Sequence, residues 1–275
     1  MINTVFFGYG ELAFVCLISF TESFNEPKII YTLFSEEESD ITEYARNRQI
    51  PIRYSNPSND FEVDPLTFNE VELLLSVNYK NLLSKDLLAS VQHKVNLHGS
   101  FLPNYRGRSP HIWAIINGEN ETGVTAHIMD EGIDTGHILH QEVVPIKPID
   151  TGSSLIQKFK EVYPRVMLFG IKNSINNVYQ VQDKSKGSFY GRRTPIMSCI
   201  DKNKTRKQIM DFVRALSEPY PPAYFFLPNG KKVLVRKVRF IDEPIHNKEP
   251  MFFLNDKLFL NCSDGILEVL DYFVE

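Results

Sequence analysis

The chain is poor in the features that place many proteins at first sight. Only three cysteines, Cys16, Cys199 and Cys262, occur in 275 residues. Their number is odd and their spacing wide, so neither a disulfide framework nor a cysteine zinc cage is expected, and a reducing cytoplasm suits the chain. No apolar run reaches the roughly 18 residues that a membrane span needs. The apolar stretch at residues 12–20 lacks a cationic leader and follows Glu11 and two glycines, so a signal peptide is not expected. Strong charge of one sign is missing too: the net charge is -4, unlike the basic footprint of a dedicated nucleic-acid binder. Metal-ligand spacings such as H-E-x-x-H are absent, so no metal is expected, and His127, His137 and His140 read as structural or solvent-facing. There is no internal repeat and no low-complexity tract. The single tryptophan, Trp113, is expected to pack its helix onto a sheet.

What is present is ordinary for a soluble globular chain: 43% hydrophobic and 23% charged residues, enough for one large domain and a smaller one. Charge is uneven along it. Residues 191–275 hold 14 Lys+Arg against 11 Asp+Glu, and the remainder holds 16 against 23. A mildly basic tail suits a phosphate-bearing ligand better than a long polyanion.

Apolar runs predict strands at residues 4–7, 28–34, 50–54, 71–77 and 94–98, alternating with helices at 11–19, 36–48 and 84–91, the last with Ser84 as its N-cap. The 71–77 run is nearly all apolar, as a strand buried on both faces should be. A helix at 110–117 closes on Gly118, and strands follow at 122–129 and 138–144. One long helical pattern covers 153–178, with Leu155, Phe159, Val162, Val166, Phe169 and Ile175 at helical spacing. Pro164 inside it predicts a kink or an interruption. Residues 183–191 are polar and rich in Gly and Ser. The tail reads as a helix at 204–216, a rigid Pro219-Tyr220-Pro221-Pro222 corner, and strands at 224–227, 232–240, 251–254, 257–262 and 266–273. The fold class is therefore α/β: a Rossmann-like, largely parallel sheet flanked by helices over 1–182, a linker at 183–190, and a small unit of one helix and antiparallel strands over 191–275.

Two motifs compete for the chemistry. Gly8-Tyr9-Gly10-Glu11-Leu12-Ala13, after a strand and before a helix, matches G-x-G-x-x-A, the pattern that brings a helix N-terminus to a dinucleotide pyrophosphate. Glu36 even follows the second strand, as a ribose-binding acid would. Against this, the motif is short and Glu11 would repel a pyrophosphate at that helix start. The second motif is N-L-H-G-S-F-L-P-N-Y-R-G at residues 96–107. Asn96 and His98 stand two apart, so on a strand they face the same way. An amide that donates to a developing oxyanion, beside an imidazole that takes a proton, is acyl-transfer equipment. The plainer reading is a strand end with a hydrogen-bonded core histidine.

The whole string, with Asn96, His98, Ser100, Leu102, Pro103 and Gly107, resembles the signature of the 10-formyltetrahydrofolate-dependent formyltransferases. A second stretch, T-A-H-I-M-D-E-G-I-D-T-G at 125–136, resembles that family's aspartate-bearing segment and contains Asp134. The resemblance covers residues 4 to about 141. It implies transfer of a formyl group from N10-formyltetrahydrofolate, without a metal, to an amine. Asn96 would stabilise the oxyanion, His98 would move a proton, and Asp134 would orient His98 or relay the proton. A lone Asp in I-D-T-G is otherwise an ordinary turn residue.

The folate would lie against Asn81, Leu82 and Leu83 and against residues 129–134, with Met129, Asp130, Ile133 and Asp134 facing it. Arg108 would stand near it, while Arg106 reads equally as a solvated loop residue. Residues 191–195, 213–216 and 219–223 resemble the second half of the sugar-nucleotide members. That implies a nucleotide-linked amino sugar as acceptor, a 4-amino-4,6-dideoxyhexose (or a 3-amino one) on dTDP, for surface polysaccharide. Arg192, Arg193 and Arg214 are then candidates for the diphosphate, and Tyr220 or Tyr224 for stacking on base or sugar. Bracing the domain junction is the alternative for the arginine pair, and a core role for the tyrosines. Nothing points to nucleic acid or membrane as partner, and a homodimer through the small sheet is expected. The alternatives are a formyltetrahydrofolate hydrolase, whose family form carries an N-terminal regulatory domain not seen here, a formyltransferase on another amine, and, remotely, a dinucleotide enzyme.

Overall fold

The computed structural model describes residues 1–33, 39–227, 229–241 and 249–275. Glu36, the end of the 28–34 strand, the start of the 36–48 helix and Pro228 of a predicted turn lie outside the described residues. In chain order the main elements are β1 (Thr4–Gly8), α1 (Gly10–Ser23), β2 (Ile29–Tyr31), α2 (Asp40–Asn47), β3 (Ile52–Arg53), α3 (Pro57–Val63), β4 (Leu73–Val77), α4 (Lys85–Ser90), β5 (His93–His98), β6 (Arg106–Gly107), α5 (Pro110–Ile116), β7 (Glu121–Ile128), β8 (Ile138–Pro145) and α6 (Gly152–Ile175). They are followed by β9 (Phe189–Tyr190), α7 (Arg206–Ala215), β10 (Ala223–Phe226), β11 (Lys232–Phe240), β12 (Met251–Leu254), β13 (Lys257–Cys262) and β14 (Gly265–Val274). Among the described residues no helix is long and apolar enough to cross a membrane.

The first sheet has the order β3-β2-β1-β4-β5-β7-β8. β1 through β5 run parallel, and β7 runs antiparallel to β5. Alternation along single strands explains why it is covered on both sides. In β4, Leu73, Leu75 and Val77 join the cluster made with α1, α2 and α6, while Leu74 joins the opposite cluster with α4 and Phe68. In β1, Phe6 belongs to the first cluster and Val5 and Phe7 to the second. A strand apolar on every residue is what burial on both faces demands. α3, which the apolar pattern did not reveal, starts on Asn56, whose side chain accepts from Ser58 N–H, with Pro57 at the first helical position.

One expectation changes here, and one motif finds its role. α6 runs unbroken from Gly152 to Ile175 with Pro164 inside it, so the predicted interruption is absent. The missing N–H removes one helical bond, but Phe159, Tyr163, Val166 and Met167 on either side are buried in one cluster, and that packing keeps the helix continuous. The Gly8-x-Gly10-x-x-Ala13 pattern serves packing. A Cβ on Gly8 would stand 2.9 Å from the Ala13 methyl and closer still to the Phe6 ring, so the glycine lets α1 lie against the strand it leaves. Glu11 occupies the first turn of α1 and pairs with Lys160 of α6.

The chain divides into two compact units: residues 1–107, 123–144 and 156–189, and residues 108–122, 145–155 and 190–275. The second contains the antiparallel sheet β10-β11-β14-β13-β12, with α5 and α7 packed together and α7 against β11.

Candidate functional site

The site is built at the C-terminal end of β5. Asn96 and His98 do share a face there, and the antiparallel register adds what stands opposite: His127 of β7 faces Asn96, and Thr125 faces His98. The Asn96 amide Nδ2 donates to His127 Nε2 at 3.0 Å. His127 Nδ1–H donates to the Ile128 carbonyl at 2.9 Å, which leaves Nε2 as the acceptor. His98 Nε2–H donates to the carbonyl of Tyr105 at 2.8 Å, turning Nδ1 toward Asp134, whose Oδ2 is 3.5 Å away. The other carboxylate oxygen of Asp134 lies 3.4 Å from His127 Nε2. Gly107 N–H donates to Oδ2 at 2.8 Å.

Burial alone would raise the Asp134 carboxyl. The neighbouring His98 ring and the Gly107 N–H outweigh it and hold the group well below the usual carboxylate range. The side chains of His98, His127 and Asp134 are only 7%, 3% and 12% exposed, so charge placed there is weakly screened by water.

The spacing of the motif follows from these contacts. Ser100 Oγ donates to the Asn104 carbonyl at 2.6 Å and closes the loop after β5. Thr125 Oγ1 donates to the Ser100 carbonyl at 2.7 Å and accepts from Leu102 N–H at 3.2 Å. Gln141 of β8 donates to both Thr125 Oγ1 and the Leu102 carbonyl at 2.9 Å. Gly107 has φ of 98°, open to glycine and rarely to other residues. In the aspartate loop, a Cβ on Gly136 would fall 1.7 Å from the Ile128 carbonyl oxygen, so this position admits only glycine. Asp134 itself has φ of 56°.

His127, expected to be structural or solvent-facing, is buried beside Asp134 and accepts from the Asn96 amide. The signal that locates it is its place opposite Asn96, which appears only when β5 and β7 are paired. His137 stacks on Tyr179 with centroids 5.0 Å apart, and His140 packs on Phe169 and faces Glu142 at 3.7 Å.

The two loops expected to hold a folate are neighbours. Lys85 Nζ, just after Asn81-Leu82-Leu83, meets Glu131 at 3.0 Å. Leu83 and Met129 pack half-buried on the same cluster, while Leu82 and Ile133 leave large apolar surfaces exposed. Exposed apolar side chains on two adjoining loops suit a flat heteroaromatic ring. Asn81 is exposed and donates to the Tyr79 hydroxyl at 3.3 Å. Asp130 is engaged within its own turn, accepting from Thr135 at 2.6 Å and Gly132 at 3.1 Å and meeting Lys184 at 3.0 Å. Arg108 is exposed, with its N–H on the Tyr190 carbonyl at 2.9 Å. Arg106 is half-buried, its guanidinium on the carbonyls of Lys186 and Lys184.

In the second unit, Arg192 is exposed. Arg193 lies over Trp113 at 4.9 Å and Phe212 at 5.6 Å and donates to the Met197 carbonyl at 2.7 Å. Burial lowers its pKa. Arg214 bonds Asp211 at 2.8 Å and the carbonyls of Asp150 and Lys147 at 2.6 and 3.3 Å, so its fork is engaged by the protein. Tyr220 shares a 2.8 Å hydrogen bond with His111, and burial pushes its hydroxyl up to about 12. Tyr224 is half-buried on β10 with Lys232 over its ring at 4.8 Å. Trp113 stacks on Tyr190 with centroids 4.7 Å apart.

Comparison with known proteins identifies the family. The formyl transferase family model matches residues 24–170, just over half the chain, and the model of the formyl transferase C-terminal domain matches residues 193–272. The chain belongs to the formyl transferase family and is an enzyme of that class. It is 34% identical over 239 residues to the bifunctional polymyxin resistance protein ArnA of Wigglesworthia glossinidia brevipalpis, across 84% of this chain but only 36% of that protein. Two solved structures share the fold at 22% identity. WlaRD, a sugar 3N-formyl transferase solved with dTDP and 5-N-formyl-THF, aligns with a TM-score of 0.77 over 98% of this chain and 97% of its own. The N-formyltransferase of Helicobacter canadensis, solved with folinic acid and dTDP-3-aminofucose, aligns with a TM-score of 0.76 over 99% of this chain and 100% of its own.

Proposed function

We propose that the chain moves a formyl group from N10-formyltetrahydrofolate to the amine of a nucleotide-linked amino-dideoxy sugar, a dTDP-linked 4-amino or 3-amino hexose made for surface polysaccharide. The observation that carries this reading is the Asp134 carboxylate set between His98 and His127 with the Asn96 amide alongside. The dTDP and formyl-folate compounds in the two structural relatives support the pairing of substrates. Leu82, Leu83, Met129 and Ile133 would receive the folate ring. The exposed Arg192 remains the freest of the candidate arginines for a diphosphate, while Arg193 and Arg214 act through the surfaces they brace.

Bound folate supplies the formyl carbon and a leaving nitrogen. Only one hydrogen of the Asn96 Nδ2 group is used by His127, and that bond fixes the amide plane. The second hydrogen is left to donate to the oxygen that becomes negative when the amine attacks. His98 meets Asp134 with an unprotonated nitrogen toward a carboxylate, an arrangement completed by a proton on Nδ1. His98 therefore accepts the proton that the attacking amine sheds, and ionised Asp134 stabilises the imidazolium until the proton leaves with the departing nitrogen. Proton transfer and charge stabilisation sit side by side, as acyl transfer requires.

The test is mass spectrometry of a panel of dTDP- and UDP-linked amino sugars incubated with the enzyme and formyl-folate. A product about 28 Da heavier, formyl in place of hydrogen, supports the reading. Asn96→Ala should lower kcat by about 10²–10³-fold. Folate turnover without a sugar product would replace transfer by hydrolysis. A homodimer belongs to the same proposal: Tyr224, Leu234 and Phe273 stand in one cross-strand row of the small sheet, with Phe273 57% exposed.

A further inference from the structure

The stretch from Gln180 to Ser188, most of it within the polar, Gly- and Ser-rich segment at 183–191, runs along both loops that build the candidate cluster. At its start Gln180 and Ile138 exchange backbone hydrogen bonds of 2.8 and 2.9 Å. Two residues on, Gln182 is buried, and its Nε2 donates to the carbonyls of Gly136 at 2.7 Å and Asp134 at 3.2 Å. Two residues further, Lys184 Nζ meets Asp130 at 3.0 Å. Through its backbone at 180 and its side chains at 182 and 184, this length of chain contacts the aspartate loop and the strand that leaves it.

The same stretch then reaches the other loop. The carbonyls of Lys184 and Lys186 accept from the Arg106 guanidinium at 3.5 and 3.2 Å. Ser188 accepts twice, its Oγ from Tyr105 N–H and its carbonyl from Arg106 N–H, both at 2.9 Å. Tyr105 is the residue whose carbonyl fixes His98, and Gly107 is the one whose N–H fixes Asp134. One short length of chain thus holds the backbone carbonyl of the aspartate at one end and, at the other, the Tyr105–Arg106 peptide whose carbonyl aims His98.

We propose that residues 180–188 form a positioning strap for the His98–Asp134 pair, with Gln182 as its central residue. Asp134 adopts a left-handed backbone that side chains other than glycine rarely take up. The Gln182 amide spans the carbonyls on either side of Thr135 and locks that turn. Leucine at 182 fills similar space but cannot donate, so two carbonyls lose their shared partner. The turn then relaxes, and Asp134 drifts from His98 of β5 and His127 of β7, the two titratable groups that face it. Asp130 and Lys184 flank the strap on its outer side.

The inference rests on the formyl-transfer reading for its kinetic arm only. In Gln182→Leu, kcat should fall between about 10- and 100-fold, as a misplacement on the order of 1 Å does, with KM for the amino sugar unchanged. In an Asp134→Asn background the same change should cost nothing more, because the two residues act as a unit. The second arm needs no activity: ¹³C NMR of the Asp134 carboxyl should show its titration moving up toward the ordinary range in Gln182→Leu, while thermal melting confirms a folded protein. Wild-type kcat and an unmoved carboxyl titration would overturn the strap. So would a loss of equal size in both backgrounds. Absence of formyl transfer by the wild type sinks the functional reading and leaves the carboxyl titration to decide the strap.

Discussion

Asp134 gathers more of the chemistry than any other residue. Its carboxylate accepts from the Gly107 N–H and lies beside His98 and His127, and this setting holds it ionised at pH values where a free aspartate begins to protonate. A carboxyl whose folded pKa lies below its unfolded value, about 3.9, adds stability at every pH above that unfolded value. The contribution fades as pH falls from there through the folded pKa. Thermal melts of the wild type and Asp134→Asn between neutral pH and pH 2 should therefore converge on acidification. A constant gap across that range would show that the carboxylate does not supply the difference. Asn96, His98 and Asp134 were legible in the sequence because each sits in a contiguous string whose spacing the loops require. His127 was not, since its partner lies 31 residues away and is set by strand register. The duties of Gln182 and of the engaged Arg214 were hidden for a similar reason: both act on backbone carbonyls, and carbonyls carry no residue identity.

At the scale of elements, strands and helices were read well wherever one face or both faces were apolar. Five strands of the small sheet and the seven of the larger one fall on predicted runs, within a residue or two at most ends. The failures have physical causes. α3 is too short and too polar for a periodic signal, and is announced by its caps. The helix continues through Pro164 because tertiary packing overrides a single local penalty. The loop after β5 owes its form to side chains from two other strands, Thr125 and Gln141. Thr125→Val keeps the shape but removes a donor and an acceptor from buried backbone partners. It should destabilise the protein by about 1–3 kcal/mol, measured by denaturant unfolding, and lower kcat because Leu102 and the chain beyond it lose their anchor. An unchanged midpoint would mean the loop is held elsewhere.

At the scale of the molecule, the small sheet offers a self-complementary candidate for assembly. The row Tyr224, Leu234 and Phe273 is apolar and lies directly opposite from strand to strand. Phe273→Lys should shift a dimer toward monomer in light scattering after gel filtration, with the melting temperature of the chain little altered. A wild-type protein that is monomeric at all concentrations would remove the row from consideration.

The order in which the two compact units use the chain has a further consequence. The backbone passes from one to the other five times, and α6 starts in one and finishes in the other. The second unit draws α5, which packs on α7, from residues 110–116, far upstream of the stretch at 193–272 that the C-terminal family model recognises. A graft made at residue 190 would therefore deliver the sheet and α7 without α5, the helix that α7 packs against. An exchange that moves the second unit as a folded piece has to carry residues 108–122, 145–155 and 190–275 together.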